Sequence, residues 1–199
     1  PDRPRWLAPN DPGNPFGVEL LNLMGNLKYT ATTTESAIAE RSVSWRAGQQ
    51  GRVGRPVGQL VEVACDLTFS AAEELPDGML FCPERMEDKW VIAWLEGEIR
   101  MARSWTGETL VVASATLQGG LLSVQRILLD TSGPLASLGD PVRIFDWMLR
   151  VHALDQRIPL VVSEQGARTL EETPLLGFSL FGRRLFAAAK EFTYPEPKT

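Results

Sequence analysis

Histidine and cysteine are scarce in this chain, and their scarcity excludes several kinds of chemistry. The 199 residues include one histidine, His152, and two cysteines, Cys65 and Cys82. Two cysteines so far apart are too few for a disulfide framework or a zinc knuckle, and most metal sites need further imidazoles. His152 lies on the apolar side of a predicted helix, where we expect a buried core histidine rather than a ligand. The sequence therefore predicts no metal and no cofactor.

The common catalytic motifs are also missing. The chain contains no Cys-X-X-Cys, His-Glu-X-X-His, Gly-X-Ser-X-Gly or EF-hand pattern, and no glycine-rich loop ending in Lys-Ser or Lys-Thr. A zinc enzyme, a common serine hydrolase and a P-loop ATPase are therefore disfavoured. Carboxylates that are neighbours along the chain, such as Glu171 and Glu172, do not form a catalytic pair without a fixed separation in space. We therefore assign no catalytic residue.

Long hydrophobic runs and an excess of positive charge are missing as well. No stretch approaches the about 20 apolar residues that a membrane helix needs, and the N-terminus lacks the pattern of a secretory signal. We therefore expect no membrane association and a cytoplasmic location. The formal net charge is -5, which gives no overall field that attracts a polyanion, so nucleic acid is disfavoured as a partner.

What is present is the composition of an ordinary globular protein with one sizeable core, 44% hydrophobic and 23% charged. Residues 1–15 hold five prolines, which forbid a regular helix and disfavour a central strand. They predict an irregular, extended, Pro-rich N-terminal arm. The rest of the sequence predicts a single α+β domain over residues 16–193 and a flexible tail over residues 194–199.

Alternation of apolar and polar residues with a period of two is the strongest structural signal in the chain. It runs from Val61 to Phe69. Farther along, two hairpins are predicted, with turns centred on Glu96-Gly97 and on Gln118-Gly119-Gly120. Short connections predict an antiparallel meander of about five strands. These strands are expected at residues 61–69, 89–96, 98–105, 108–117 and 121–129.

One main helix is predicted to begin at Asp140, because an acceptor side chain at the N-cap is followed by Pro141 in the first turn. The segment VRIFDWMLRVH has an apolar face, so we expect this helix to pack on the meander and complete an α+β fold. Farther along, residues 177–192 fit two interpretations, a hairpin bent at Gly182 or a strand followed by a final helix.

A polar and aromatic cluster, Arg-Ser-Trp-Thr-Gly at residues 103–107, ends the first hairpin. In a structural interpretation Arg103 forms an ion pair with an acid such as Asp88, and the Thr-Gly pair makes a tight turn. In a functional interpretation Arg103 and Trp105 form a fork and a stacking plate for a planar or anionic ligand, with help from Lys89. The structural interpretation is favoured, because a turn explains the Thr-Gly pair without a ligand.

The segment GQQGRVGRPVG at residues 48–58 carries four glycines and predicts a flexible connection. An anion cradle is the alternative, because exposed backbone N–H groups beside Arg52 and Arg55 would suit a phosphate. From Arg41 to Leu60 the chain contains four arginines and no acid, which leaves a weak basic patch as a second alternative.

Three short motifs carry a resemblance to a known group of proteins. MEDKW at residues 86–90, ARSWTGE at 102–108 and GRRLFAAAKEFT at 182–193 together resemble a family of uncharacterised bacterial proteins. The resemblance implies one continuous domain and brings no established activity. It also implies that one functional or structural unit contains Asp88, Lys89, Trp90, Arg103, Trp105, Gly107, Arg183 and Arg184.

Two functions of different classes fit these observations. The missing catalytic motifs, the acidic balance and the Pro-rich arm favour a non-enzymatic interaction or accessory protein, partner-binding or immunity-like, whose arm could order on a protein partner. The alternative is a small-molecule or anion-binding domain, or an enzyme of an unfamiliar kind. The alternative predicts that one concave pocket collects the candidate ligand-binding side chains, namely Lys89, Arg103, Trp105, Arg183 and Arg184.

Overall fold

The structure is a computed structural model that describes residues 3–54, 56–72, 78–130 and 135–196. The described residues form two compact units. The first unit contains residues 3–31 and 135–194, and the second contains residues 32–130 with residues 195 and 196. The single continuous domain over residues 16–193 stays a prediction beside this division into two units.

The described ranges contain both helices and strands, and most strand pairs are antiparallel. This arrangement confirms the α+β class. The strands in these ranges are β1 (Arg5–Leu7), β2 (Leu20–Asn22), β3 (Leu60–Ser70), β4 (Gly78–Phe81), β5 (Trp90–Leu95), β6 (Glu98–Arg103), β7 (Thr109–Gln118), β8 (Leu121–Asp130), β9 (Leu160–Val161) and β10 (Ala187–Ala189). The α-helices are α1 (Ser36–Val43), α2 (Pro141–His152), α3 (Glu164–Glu172) and α4 (Pro174–Phe181), and short 3₁₀ helices occupy Met24–Lys28, Gln50–Arg52, Ala136–Leu138 and Gly182–Arg184.

The second unit is built on a sheet with the strand order β3-β8-β7-β6-β5-β4. From β4 to β8 each strand pairs antiparallel with the next, which confirms the predicted meander. The predicted number of about five strands is too low, because the sheets of the described residues contain ten strands, six in this sheet and four in the first unit. Strand β3 pairs with β8 rather than with its neighbour in sequence, with Leu60 opposite Asp130 and Ser70 opposite Leu121.

The centre of this sheet is buried on both faces, which explains why WVIAWL reads as a continuous apolar run rather than an alternating one. On one face Val91, Ala93 and Ala102 pack against Trp45 and Val53, from the segment around α1 and the following 3₁₀ helix. The residues of the other face, Ile92, Ile99 and Met101, are fully buried as well. Strands β5 and β6 therefore form a rigid platform for the turn that follows them.

The first unit is built on a smaller sheet with the order β1-β2-β10-β9, in which β10 runs antiparallel to β2 and parallel to β9. The predicted arm of residues 1–15 includes β1, which occupies an edge of this sheet, where flanking prolines are tolerated. Of the predicted tail, residues 197–199 lie outside the described residues. Tyr194 at its start is fixed, since its hydroxyl accepts a hydrogen bond of 3.1 Å from the Val161 N–H.

Helix α2 begins where the sequence predicted. The Asp140 side chain accepts from the Val142 N–H at 2.9 Å, and Pro141 fills the first helical position. Helix α2 belongs to the first unit, where it packs against β9, and its predicted packing on the meander stays a prediction. His152, at its end, is a buried core residue as predicted, with its Nδ1 2.9 Å from the Met148 carbonyl oxygen.

The C-terminal segment forms neither of the predicted arrangements. The helix comes first and the strand second. Helix α4 begins with Pro174 in its first turn, and β10 follows after Gly182. Gly182 ends α4 with a φ of 64°, a left-handed conformation that favours glycine. This glycine therefore marks the end of a helix rather than the bend of a hairpin.

Candidate anion-binding site

The cluster at residues 103–107 is a tight turn between β6 and β7. Gly107 N–H donates to the Arg103 carbonyl at 2.8 Å, and Arg103 N–H donates to the Glu108 carbonyl at 2.9 Å. Gly107 has a φ of 79°, so the turn uses the conformational freedom of glycine at this position. The Thr-Gly pair therefore has the turn role that the structural interpretation gave it.

Side-chain hydrogen bonds tie this turn to two other segments. Ser104 Oγ donates to the Asp88 carbonyl at 2.6 Å, and Trp105 Nε1 donates to the Met86 carbonyl at 3.0 Å. From the other direction, Trp45 Nε1 donates to the Ser104 carbonyl at 3.0 Å. Each bond pairs a buried or partly buried donor with a backbone oxygen, which removes the cost of leaving those groups unsatisfied.

Two cations of this region are directed into the protein. Lys89 is 5% exposed, its Nζ donates to the Met86 carbonyl at 2.9 Å, and the same atom lies 4.2 Å from the centroid of the Trp105 ring. Burial, and then the nearby Arg103 charge, lower the pKa of Lys89 to about 8. The Arg103 guanidinium lies 5.0 Å from the centroid of the Trp90 ring, and burial lowers its pKa to about 10.

The structure brings together three of the predicted site residues, Lys89, Arg103 and Trp105, and places them in the second unit. Arg183 and Arg184 belong to the first unit, in the 3₁₀ helix after α4. There Arg184 Nη1 donates to Asp155 Oδ1 at 2.9 Å and to the Val151 carbonyl at 3.3 Å.

Asp88, the predicted ion-pair partner of Arg103, is fully buried. Its Oδ2 accepts from the backbone N–H groups of Glu84 at 3.0 Å and Arg85 at 3.3 Å, so this carboxylate stabilises the loop that leads into β5. The ion pair between Asp88 and Arg103 stays a prediction.

A cavity of about 610 Å³ lies beside the turn, within the second unit. We call it the arginine cleft. One wall comes from α1 and the segment that follows it, and the other comes from the turn before β7. The residues that line it are Arg41, Trp45, Arg52, Gly54, Val57, Thr106, Gly107 and Glu108.

Both arginines of the cleft are exposed and are oriented by bonds to the protein. Arg41 Nη1 donates to the Thr106 carbonyl at 3.2 Å. Arg52 donates from Nη1 to the Ser44 carbonyl at 3.2 Å, and its guanidinium lies 4.6 Å from the centroid of the Trp45 ring. Among the described residues neither guanidinium has a carboxylate partner, so each keeps N–H donors and an unneutralised charge for a ligand.

Glu108 supplies a carboxylate to the cleft lining, and its Oε2 accepts from Thr106 Oγ1 at 3.0 Å. Two guanidiniums therefore face one carboxylate that is already hydrogen-bonded. Guanidinium forks match the planar oxygens of carboxylates and the oxygens of phosphates. The arrangement suits an anion that approaches from solvent.

The sequence contained a signal for this cleft. The run of four arginines without an acid from Arg41 to Leu60 indicates a weak basic patch, as an alternative to a flexible connection. Trp45 was missed altogether. Its role depends on Ser104 and Arg52, and no local pattern indicates a contact with a turn 59 positions away.

Comparisons with known proteins add no family. Neither a protein-family model nor a curated protein nor a solved structure matches this chain. Within the described residues, no group of three or more histidine, cysteine, aspartate or glutamate side chains is placed to hold a metal ion. No helix of that part of the chain is long and apolar enough to cross a membrane. The family resemblance and the cytoplasmic location stay predictions.

Proposed function

We propose that this protein is a non-enzymatic interaction protein whose arginine cleft recognises an acidic segment of a partner protein. The observation that carries the proposal is the pair Arg41 and Arg52, which line one cavity with no carboxylate partner among the described residues. Charges of one sign that are left together in a cavity repel each other, and a ligand of opposite charge relieves that repulsion.

The chemistry of the two side chains supports binding rather than catalysis. A guanidinium keeps its proton at any physiological pH, so it supplies fixed charge and hydrogen bonds but takes no part in proton transfer. Hydrogen bonds to the carbonyls of Thr106 and Ser44 also fix the orientation of the two guanidinium groups before a ligand binds. Such preorganisation lowers the entropy cost of binding.

The composition of the cleft supports a peptide carboxylate over a polynucleotide. Glu108 lies in the same lining as Arg41 and Arg52 and would repel a continuous row of phosphates. The chain as a whole carries a net charge of -5, which opposes the approach of a polyanion. A segment that alternates acidic side chains with hydroxyl or amide donors would satisfy both the arginines and Glu108.

The alternative function, a small-molecule or anion-binding domain that uses Lys89, Arg103 and Trp105, has less support. Lys89 is almost fully buried, and its ammonium is bonded to the Met86 carbonyl. Trp105 has its ring covered by that ammonium and its Nε1 bonded to the same carbonyl. An anion would have to break these contacts before it could bind here.

Fluorescence anisotropy with a labelled peptide of alternating glutamate and serine tests the proposal. We expect saturable binding that weakens as salt is added, because exposed charges are screened. The double variant Arg41→Gln/Arg52→Gln should weaken binding about thirtyfold, from the loss of two charge pairs at about 1 kcal/mol each. Arg85→Gln is the matched control, since Arg85 is exposed in the same unit and lies outside the cleft lining.

Two further arms make the result specific. A phosphoserine peptide of the same length distinguishes recognition of carboxylates from recognition of phosphates. Tighter binding of the phosphopeptide would mean that the cleft recognises a phosphorylated segment of the partner rather than an acidic one. Arg41→Lys/Arg52→Lys keeps the charge but removes the forks, and we expect an intermediate affinity. Equal weakening by Arg85→Gln and the double Gln variant, with both variants folded in a thermal melt, would contradict the proposal.

A further inference from the structure

A second cavity lies within the first unit and has a different character. Its volume is about 480 Å³, inside the range of about 300 to 1,000 Å³ that is usual for small-molecule sites. We call it the apolar cavity. It is lined by Leu7, Gly13, Pro15, Phe16, Leu20, Asn22, Met24, Arg157, Phe186 and Ala187.

One wall of the apolar cavity is a loop that Asn14 holds in shape. Asn14 is 7% exposed, and its Nδ2 donates to the carbonyls of Ala8 at 2.9 Å and Val18 at 2.7 Å. Its Oδ1 accepts from the Phe16 N–H at 3.1 Å. These bonds fix the backbone that carries Phe16, so the wall exists before any ligand binds.

The floor and sides of the cavity are apolar. Leu7, Leu20 and Ala187 are buried and belong to one hydrophobic cluster, against which Phe16 and Phe186 pack. The centroids of the two phenylalanine rings lie 6.0 Å apart with an angle of 33° between their planes. Half-buried rings of this kind leave apolar surface in contact with water, which a ligand can cover.

One positively charged side chain, Arg157, lies beside this apolar surface. The Arg157 guanidinium lies 5.2 Å from the centroid of the Phe186 ring, and the side chain is exposed. Within the described residues Arg157 forms no ion pair and no side-chain hydrogen bond, and the lining contains no acidic side chain to neutralise it. Asn22 adds an amide, whose Oδ1 accepts from the Met24 N–H at 2.9 Å while its N–H₂ group can still donate.

We infer that the apolar cavity binds a small amphipathic carboxylic acid, with an aliphatic or aromatic body against Phe16 and Phe186 and its carboxylate on Arg157. The walls supply the hydrophobic contribution, and the single guanidinium gives the orientation and the preference for an anion. This site belongs to the first unit and the arginine cleft to the second, so the failure of one proposal does not affect the other.

An NMR titration of the ¹⁵N-labelled protein with octanoate, and in parallel with 1-octanol, tests the inference. We expect octanoate to bind with a dissociation constant below about 1 mM and to shift the backbone resonances of the cavity lining. Octanol should bind more weakly, because it lacks the anion. Arg157→Gln should weaken octanoate binding about tenfold and leave octanol binding unchanged, as expected for the loss of one charge-assisted contact.

Two further variants complete the design. Met24→Glu places an anion in the lining at a side chain that is 41% exposed, so the fold should be kept while octanoate binding is lost. Arg168→Gln removes an exposed charge of the same unit that is outside the lining, and it should change nothing. The inference is overturned if octanoate and octanol bind equally well to the wild type, or if Arg157→Gln and Arg168→Gln have the same effect on octanoate.

Discussion

Lys89 and Trp105 share one acceptor: Lys89 Nζ and Trp105 Nε1 donate to the same Met86 carbonyl oxygen, at 2.9 and 3.0 Å. The ammonium also lies 4.2 Å from the centroid of the Trp105 ring. The loop before β5 and the turn after β6 are therefore joined by one small network. This network supports the turn that forms one wall of the arginine cleft.

Replacing Trp105 tests how much the network contributes to stability. Because Trp105 is half-buried, we expect Trp105→Ala to lower the free energy of unfolding by about 2 kcal/mol, less than the 3 to 5 kcal/mol typical of a fully buried tryptophan. Trp105→Phe keeps a ring under the ammonium but loses the hydrogen bond, so it should cost about 1 kcal/mol. Denaturant unfolding of the three proteins measures both values. A neutral Trp105→Ala would show that the ring is an exposed plate after all.

The stability of the protein should depend on pH through Lys89. Burial lowers the pKa of its ammonium to about 8, from an ordinary value of 10.5. Below pH 8 both the folded and the unfolded states carry the proton, and the cost of burying the charge is present in full. Between the two pKa values the unfolded chain holds more protons at this position, so the free energy of unfolding rises with pH, by roughly 1 kcal/mol from pH 8 to pH 9.

The control for this prediction is Lys89→Met, which cannot titrate. Burial raises the pKa of the thiols of Cys65 and Cys82, which has the opposite effect on stability at alkaline pH, but these groups are the same in both proteins. The difference between wild type and Lys89→Met, measured by urea unfolding at pH 7, 8 and 9, therefore isolates Lys89. A difference that does not change with pH would mean that Lys89 is not desolvated.

Two glycines allow the same substitution to be compared in different conformations. Gly107 has a φ of 79°, so Gly107→Ala should destabilise the turn by about 1 to 2 kcal/mol. Gly51 lies in the 3₁₀ helix Gln50–Arg52, and an added Cβ there would meet no atom within 4 Å. Gly51→Ala should be neutral or slightly stabilising, since it restricts the unfolded chain. Thermal melts measure both variants. A lower melting temperature for Gly51→Ala than for Gly107→Ala would contradict the geometry of the turn.

Two ion pairs of the first unit differ mainly in their burial. Asp146 and Arg150 pair at 2.5 Å with side chains that are 11% and 8% exposed, whereas Asp155 in the pair with Arg184 is 88% exposed. Asp146→Asn should cost about 3 kcal/mol, because it removes a charged partner from a buried guanidinium. Asp155→Asn should cost less than about 1 kcal/mol, as is usual for pairs in contact with solvent. Chemical denaturation measures both losses of unfolding free energy. Similar losses for the two variants would contradict the difference in burial between the two ion pairs.

Much of the second unit could be predicted from the sequence, because its signals are local. An alternating run located β3, glycine turns between apolar runs located β5, β6, β7 and β8, and an N-cap followed by proline located α2. Strand β4 was missed because GMLF is four residues long and does not alternate. The pairing of β3 with β8 could not be predicted, since it joins segments far apart in the chain and no local pattern specifies such a pair.

The candidate site was harder to predict than the fold. The sequence showed that Arg103 and Trp105 were unusual, but it could not show that their polar groups are directed to the interior. Exposed residues such as Arg41 and Arg52 carry no periodic pattern. Contacts between distant segments bring the two walls of the cleft together. Trp45 packs against Gly107, where an added Cβ would lie 3.9 Å from the Trp45 ring, and Arg41 Nη1 donates to the Thr106 carbonyl.

The most direct test of the central claim observes the guanidinium groups of the cleft themselves. NMR spectra of the arginine Nε–H groups, recorded while the acidic peptide is added, report on each side chain separately. We predict that the Arg41 and Arg52 signals shift together and saturate at one peptide concentration, while the signal of Arg85 stays in place. If Arg41 and Arg52 do not shift, or if every exposed arginine shifts in parallel, the arginine cleft is not a specific binding site.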